Sequence, residues 1–481
     1  MALPGDIREV VREELRLKDF VPIIPHTYGS SLKAYAEKIN AGFPSWCGVY
    51  ALFVYNGELL ALCGRVPSGI YNVESMTWEF IEDRKYYEPI SGAAIDHDTE
   101  TVAWTSWNTP YVFLWQGSGK PIMVDLGEVT GGNIVYGGDG NFYVYTNTGN
   151  LYKITPNGKA TKVSTNDKRT ATGSCPCWFA ERLGQYLFFP TPYPDLSLYM
   201  YDRENNTWTV LKQNPLWSDK HAPGFPYIHW CTYGTLVYFG IMRGITRYRY
   251  QCTIGFIAER GGSIHAEDYG ILPYSYYSIN DIQAISTSHA WLDQWVTIHW
   301  IRGILWLTGA PTCTEEFRPP LVQALCGFPP IICGTVYKGD LVFATHVVES
   351  HFIRGGNPRI PATRISMIMF IPRHELFKLK LVPAKACVWA GKSIEANEES
   401  YPVVIEGWSK VTIMFKSDTD GTLTILLDPD GRADIDGWEE YDTISVTANK
   451  TVWYVMTANA TRIKLKFSSS ATVTAVVHLT P

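Results

Sequence analysis

The 481-residue chain carries 47 acidic against 41 basic side chains and a formal net charge of −6. That balance argues against a nucleic-acid scaffold. No apolar run reaches the roughly 18 residues of a membrane helix, because Val296 to Ala310 is broken by His299 and Arg302.

Aromatic residues make up 14% of the chain, with 17 Trp and 29 Tyr, against only 18% charged residues. This mixture suits many short strands with stacked rings. The first segment, MALPGDIREVVREELRLKDF, is charged and lacks the apolar centre of a signal peptide. Synthesis in a host cytoplasm without an export signal is therefore expected. Residues 5–18 read as a helix. Ile7, Val10, Val11 and Leu15 share one face, and Asp6 and Glu9 suit the first turn. A second short helix is expected around Ser31 to Ile39, and residues 1–42 read as a helical and extended arm.

From about residue 43 to 385 the chain repeats a unit. In LGQYLFFPTPYPDLSLYMYDRENNTWTVL, Leu183 to Leu211, a glycine turn, two apolar strands, a polar turn and a strand with Trp208 follow one another. Asn56 to Ile81 repeats it, with Tyr71 seven residues before Trp78 as Tyr201 is before Trp208. The two Trp residues are 208 − 78 = 130 apart, about three periods of the roughly 40–50-residue blade of a propeller. Outer turns are expected at Ser75, Gly119, Gly158 and Asn205. Inner hairpins are expected at Asn56-Gly57, Thr99, Asp139-Gly140, Gly184, Tyr233-Gly234, Arg302-Gly303 and Lys338-Gly339. Seven hairpins suggest an all-β, seven-bladed β-propeller, within a range of six to eight. The long interval from Gly234 to Gly303 holds either an insertion or a degenerate blade.

Pro383-Ala-Lys-Ala-Cys387 reads as a boundary. Beyond it, Val403 to Ile405, Lys410 to Phe415, Thr422 to Leu427, Asp442 to Val446, Thr451 to Met456, Arg462 to Phe467 and Thr472 to His478 alternate as short strands. Residues 386–481 are expected to form a small β-sandwich.

Chemistry is harder to place. Asp96-His97-Asp98-Thr99-Glu100 gathers acids at one inner hairpin, where two carboxylates can do acid–base work on a glycoside. A hairpin tip is also ordinarily polar, and no second acid pairs with it in the sequence. Asp428, Asp430, Asp434 and Asp436 offer clustered carboxylates to calcium, with Glu439 or Glu440 in place of a closing bidentate glutamate. Asp-Pro-Asp-Gly is equally a common hairpin turn, which accounts for the same residues. His229-Trp230 and His299-Trp300 precede turns that read as equivalent. They either line a channel, stacking on a sugar, or are structural residues repeated with the blade. The ten cysteines show no zinc spacing. Most read as buried thiols, with one or two bridges expected and Cys231 with Cys252, or Cys313 with Cys326, as candidates. Phosphate-binding loops, nucleophile elbows and the sialidase aspartate box are absent from the sequence. Asn205, Asn449 and Asn459 head N-x-S/T sites. No catalytic, cofactor-binding or metal-binding residue is assigned.

The pair YNVESMTWEFI and YDRENNTWTVL resembles the kelch repeat, although the kelch double glycine is missing and Cys63-Gly64 is its nearest match. The resemblance implies the propeller fold. The C-terminal stretches SDTDGTLTILLDPDG, GWEEYDTISVTA and WYVMTANATRIKLKFSSSATVTAVV resemble terminal domains of virion proteins from bacteriophages and archaeal viruses. That likeness implies a structural protein displayed on a virus particle as a spike, turret or tail fibre. Its partners would be other virion proteins, a host-surface ligand such as a glycan, and further copies of itself. The alternatives are a polysaccharide-acting enzyme with a catalytic propeller and an intracellular kelch-type scaffold for a protein partner.

Overall fold

The computed structural model describes residues 22–23, 48–64, 68–72, 77–81, 90–106, 109–130, 133–167, 180–190, 197–213, 228–233, 236–246, 249–260, 263–271, 274–275, 289–293, 296–301, 304–309, 323–326, 331–338, 340–349, 363–371, 383–429, 437–457 and 460–481. The two helices expected near the N-terminus lie outside these residues.

Seven antiparallel sets of four strands follow one another along the chain, six as separate sheets and the fifth as one half of an eight-stranded sheet. Their innermost strands are Gly48–Tyr55, Ile90–Asp96, Asn133–Tyr136, Glu181–Leu183, Ile228–Tyr233, His289–Asp293 and Ile331–Tyr337. Each of these strands touches the next, and the seventh touches the first. The ring is therefore closed, and the chain is a seven-bladed β-propeller. Thr363–Ile371 and Pro22–Ile23 complete the seventh blade, with Pro22 opposite Met369 and Ile23 opposite Ile368. The start of the chain thus supplies the outermost strand of the last blade. Proline fits there, since an edge position needs no amide on its solvent side.

Closure follows from which faces the strands bury. A blade inside a ring is covered on both sides, so its middle strands lose the in–out alternation: all six residues of Thr101–Ser106 are buried. The apolar side chains collect between successive blades. Tyr55, Leu60, Trp104 and Phe113 join blades one and two. Ala103, Leu114, Phe142 and Val144 join two and three. Tyr145, Leu187, Phe189 and Tyr201 join three and four, and Leu183, Phe188 and Ile257 join four and five.

The repeat read from the sequence is a structural equivalence. Tyr71 faces Trp78 across the outer hairpin of blade one, and Tyr201 faces Trp208 across that of blade four. The hairpin at Arg302-Gly303 needs correction. It joins Val296–Ile301 to Ile304–Gly309, the second and third strands of blade six, whereas the inner hairpin lies between Asp293 and Val296. The long interval before it is filled by extended strands of blade five, Leu236–Thr246, Arg249–Arg260 and Ser263–Ile271, and by Tyr274–Ser275, which leaves the propeller.

The C-terminal strands form two packed sheets. One has the order Tyr274–Ser275, Ala384–Ile394, Ala471–Thr480, Lys410–Ser417, Thr451–Met456. The other runs Val403–Val404, Arg462–Phe467, Gly421–Asp428, Glu439–Val446 and is fused to the outer strand of blade five by a parallel pair, Ile271 opposite Val403. The Ile271 amide donates to the Pro402 carbonyl at 2.7 Å. Gly270 permits this approach, because a Cβ there would stand 3.0 Å from the same carbonyl oxygen. Trp389, Phe415, Leu423, Ile425, Phe467 and Val477 fill the core between the sheets. The stretch read as a boundary is itself a strand. Ala384–Ile394 pairs with Ala471–Thr480, and two bulges, at Cys387/Trp389 and Ala390/Lys392, interrupt its alternation.

Candidate functional site

Of the residues singled out for chemistry, Asp96 to Glu100 lie at the end of the blades where inner and outer hairpins stand side by side. In blade two, Ile90–Asp96 turns into Thr101–Ser106 through His97 to Glu100, and Glu100 takes a positive φ of 49° to close the hairpin. Asp96 is fully buried. Its carboxylate accepts from the Asp98 amide at 3.0 Å and from the Thr99 hydroxyl at 2.6 Å, which shapes the turn. The Tyr136 hydroxyl of blade three also bonds to Asp96 and accepts from the Gly140 amide at 3.3 Å. Burial first, then the Asp96 carboxylate, raises the Tyr136 pKa above its ordinary value.

The inner hairpin of blade three repeats the device. Asp139 accepts from the Tyr143 hydroxyl at 2.8 Å and the Lys153 ammonium at 3.1 Å, and Arg203 of blade four stands 3.5 Å away. Burial pushes the Asp139 carboxyl up, but these donors outweigh it and hold the group below its ordinary range. Burial and Asp139 together push Tyr143 up to about 12. Arg203 also donates to the carbonyls of Gln185 and Gly184, at 3.0 and 3.1 Å, so it clamps both hairpins of its own blade. Between blades one and two the contact is steric. Gly117, at φ 83°, leaves room for the Tyr55 hydroxyl, which a Cβ there would meet at 2.3 Å.

A third carboxylate, Glu128, lies at the opposite end of the blades, on the link between blades two and three. It accepts from Thr146, Thr148, Asn150 and Tyr152 around one turn. Desolvation opposes its ionisation, yet the four donors lower its pKa. Nothing in the sequence marked Glu128, since its partners stand 18 to 24 residues further on.

Asp96, Asp139 and Glu128 are thus held by neighbouring donors, whereas Glu100 Oε2 is buried with no hydrogen-bond partner among the described residues. Asp96 is a turn cap and a bridge between blades, and Asp139 is neutralised by cations on either side. Neither presents a free proton or a free base to a glycosidic bond. What the blade-two hairpin offers to solvent is His97, Asp98 and Thr99, which are exposed. They can contact a ligand by hydrogen bonding and charge.

The remaining expected groups are not brought together. His229 lies on the innermost strand of blade five and His299 on the second strand of blade six, so the two His-Trp pairs are not equivalent. Asp428 is buried and accepts from the Arg462 guanidinium, with its Oδ2 2.7 Å from Nε. Asp430, Asp434 and Asp436 lie outside the described residues. Among the described residues no three His, Cys, Asp or Glu side chains cluster at metal-binding spacing. Register separates Cys231 from Cys252: Cys231 faces Tyr238 and Cys252 faces Met242, four residues apart on the strand between them. That offset alone is roughly 13 Å, beyond the roughly 7 Å Cα limit of a disulfide. Cys313 lies outside the described residues, and the Cys387 thiol donates to the Trp389 carbonyl at 3.6 Å. Among the described residues no helix is long and apolar enough to cross a membrane.

No family model matches the chain, and no curated sequence does. Solved structures are similar to it. The WD40 repeats of RRP9 are 12% identical, with 68% of this chain and 95% of that one covered and a TM-score of 0.47. An enzyme of the GH74 type from Niastella koreensis is 8% identical, over 76% of this chain and 59% of that one, with a TM-score of 0.45. The extracellular domain of a one-component system from B. thetaiotaomicron is 9% identical, over 95% of this chain and 58% of that one, with a TM-score of 0.46.

Proposed function

We propose that the protein is a binding and structural component, a kelch-like propeller that presents its hairpin loops to a host-surface ligand and is displayed on a virus particle with the sandwich as its anchor. The observation that carries the binding half is the state of the hairpin carboxylates. Asp96 and Asp139 serve as joints between blades, which leaves the exposed hairpin tips for recognition. The display half draws on the likeness of the C-terminal strands to terminal domains of virion proteins. A glycan is the favoured ligand class, because aromatic side chains stack on sugar faces and the chain is rich in them.

The test has two arms. Purified full-length protein is incubated with a glycan panel, reading both retention and cleavage products. Retention without cleavage is expected, and turnover that survives purification would replace binding with catalysis. In parallel, the protein is followed through particle purification. Detection only in the cytosol of uninfected cells, never in particles, would overturn the display reading and leave the binding reading standing.

A further inference from the structure

The sandwich has four sheet edges, and three are managed. Tyr274–Ser275 covers one end of the five-stranded sheet. Blade five is fused to one end of the opposite sheet. The other end of that sheet is Glu439–Val446, which carries exposed Glu439, Glu440 and Asp442. Charges of this kind are a common way of keeping a bare edge from pairing with another chain. The fourth edge is Thr451–Met456, TVWYVM, the last strand of the five-stranded sheet. It pairs with Lys410–Ser417 on one side, and among the described residues nothing pairs with the other. It has no charge, proline or bulge, and its β-branched and aromatic residues favour the extended state.

Its outward face is apolar as well. Trp453 is 60% exposed and Val455 54%. Both lie beside Met414 and Thr412 of the adjacent strand, on one face of the sheet. The strand is also held in place. The Tyr454 hydroxyl, on its inward side, donates to Asp442 of the facing sheet, and the Trp453 ring lies 6.0 Å from that of His478. A fixed strand with one free ladder and an apolar face is a template for another strand.

We propose that Thr451–Met456 pairs antiparallel with the same strand of a second copy, joining two five-stranded sheets into one of ten. The occupant is a second copy because this strand is complementary to itself. Uncharged and alternating, it offers the same free ladder and the same exposed face to its twin, as a two-fold interface requires. Directly opposed residues on antiparallel strands share a face. The two best-overlapped registers that keep the outward faces together therefore set Trp453 opposite either Trp453 or Val455 of the second copy. Six residues on each side make a small interface, and a weak dimer follows.

Sedimentation equilibrium of the full chain over a range of concentrations tests this. A monomer–dimer equilibrium is expected, and Trp453→Lys with Val455→Lys should weaken it at least tenfold while the thermal melt stays that of the parent. Both side chains are exposed, so folding does not depend on them. As a second measurement, Trp453→Cys, alone or mixed with Val455→Cys, should cross-link two chains under mild oxidation beyond any background of the parent. A parent that stays monomeric throughout would leave the edge to a different protein and overturns the proposal. A dimer that the lysine pair leaves intact places self-association elsewhere and overturns it too.

Discussion

The Trp208 indole nitrogen donates to the Ser164 hydroxyl at 3.0 Å, and the bond crosses from blade four to blade three. The same ring packs against Tyr145 and Phe189, with centroids 5.2 and 5.8 Å away, and against its hairpin partner Tyr201 at 5.0 Å. A residue that marks the repeat in the sequence is thus a fastener between neighbouring units. In a ring, each such fastener also supports closure, since a blade that loosens on one side weakens its contact on the other.

Trp208→Ala should destabilise the protein by about 3 kcal/mol, the lower end for loss of a large aromatic side chain, because the indole is only half-buried. Trp208→Phe keeps the ring and loses the hydrogen bond, so about 1 kcal/mol is expected. Chemical denaturation of both variants measures the order. Equal stability of Trp208→Ala and the parent would mean that the ring cluster contributes nothing to the blade interface.

The Asp96 carboxylate is placed to hold a hairpin. Asp96→Ala should cost about 1–3 kcal/mol, because the Asp98 amide, the Thr99 hydroxyl and the Tyr136 hydroxyl lose their acceptor. Asp98→Ala, at an exposed position of the same turn, should leave stability within about 0.5 kcal/mol of the parent. Glycan retention should follow Asp98→Ala more than Asp96→Ala if the exposed tip is the contact surface. The reverse order, with stability unchanged in both, would return Asp96 to a chemical role.

Hairpins were legible in the sequence because Asn-Gly and Lys-Gly turns report backbone geometry directly: Asn56 and Lys338 both take positive φ, 48° and 49°. Such a signal marks a turn without saying which strands it joins. That is why Arg302-Gly303 read as an inner hairpin when it links the second and third strands of its blade. The strand Ala384–Ile394 was hidden by two bulges that break the period-2 pattern. Pro22–Ile23 is two residues long and has no local signal at all; only the pairing of Pro22 with Met369, 369 − 22 = 347 residues away, makes it a strand. The joints of the candidate site were illegible for the same reason. Asp139 meets Arg203 only because blades three and four are neighbours in the ring.

Stability should also depend on pH through Glu406. Burial raises its carboxyl to about 7, and its Oε2 has no hydrogen-bond partner among the described residues. A raised pKa means that the folded state binds the proton more tightly than the unfolded chain does. The contribution is therefore fully present below the unfolded value of 4.5, and it fades as pH rises through about 7. Glu406→Gln should stabilise the protein at pH 8 and change little at pH 5. The shift alone corresponds to about 3 kcal/mol, and partial solvent access to the side chain reduces this to about 1–2 kcal/mol. Urea melts at the two pH values measure the difference. A variant that is less stable than the parent at pH 8 would mean that the carboxylate has a cationic partner.

The joint between propeller and sandwich rests on backbone contact at Gly270. Gly270→Val would push a branched side chain against the Pro402 carbonyl, only 3.0 Å from the position of its Cβ, and against Val404. The expected effect is a weakened seam with the two cores intact, read as faster proteolysis without loss of the main thermal transition. Gly270→Ala should fall between the variant and the parent. If Gly270→Val melts and digests like the parent, the seam is soft enough to move aside.

A propeller is held shut where its first and last strands meet, and here that meeting is Pro22–Ile23 on Thr363–Ile371. Two residues contribute little area, but they are the only described strand that covers the outer edge of blade seven. Removing residues 1–20 spares this strand, whereas removing 1–24 deletes it and bares the ladder of Thr363–Ile371, whose sequence TRISMIMFI is apolar and β-prone. An uncovered strand of that kind invites pairing between chains. The shorter deletion should therefore keep a soluble propeller with the parent thermal melt. The longer one should melt at lower temperature and aggregate at concentrations where the shorter one does not. Static light scattering during a thermal ramp separates the two. If both deletions behave alike, closure rests on contact between the inner strands Ile331–Tyr337 and Gly48–Tyr55, and the N-terminal strand is an ornament of the edge rather than its lock.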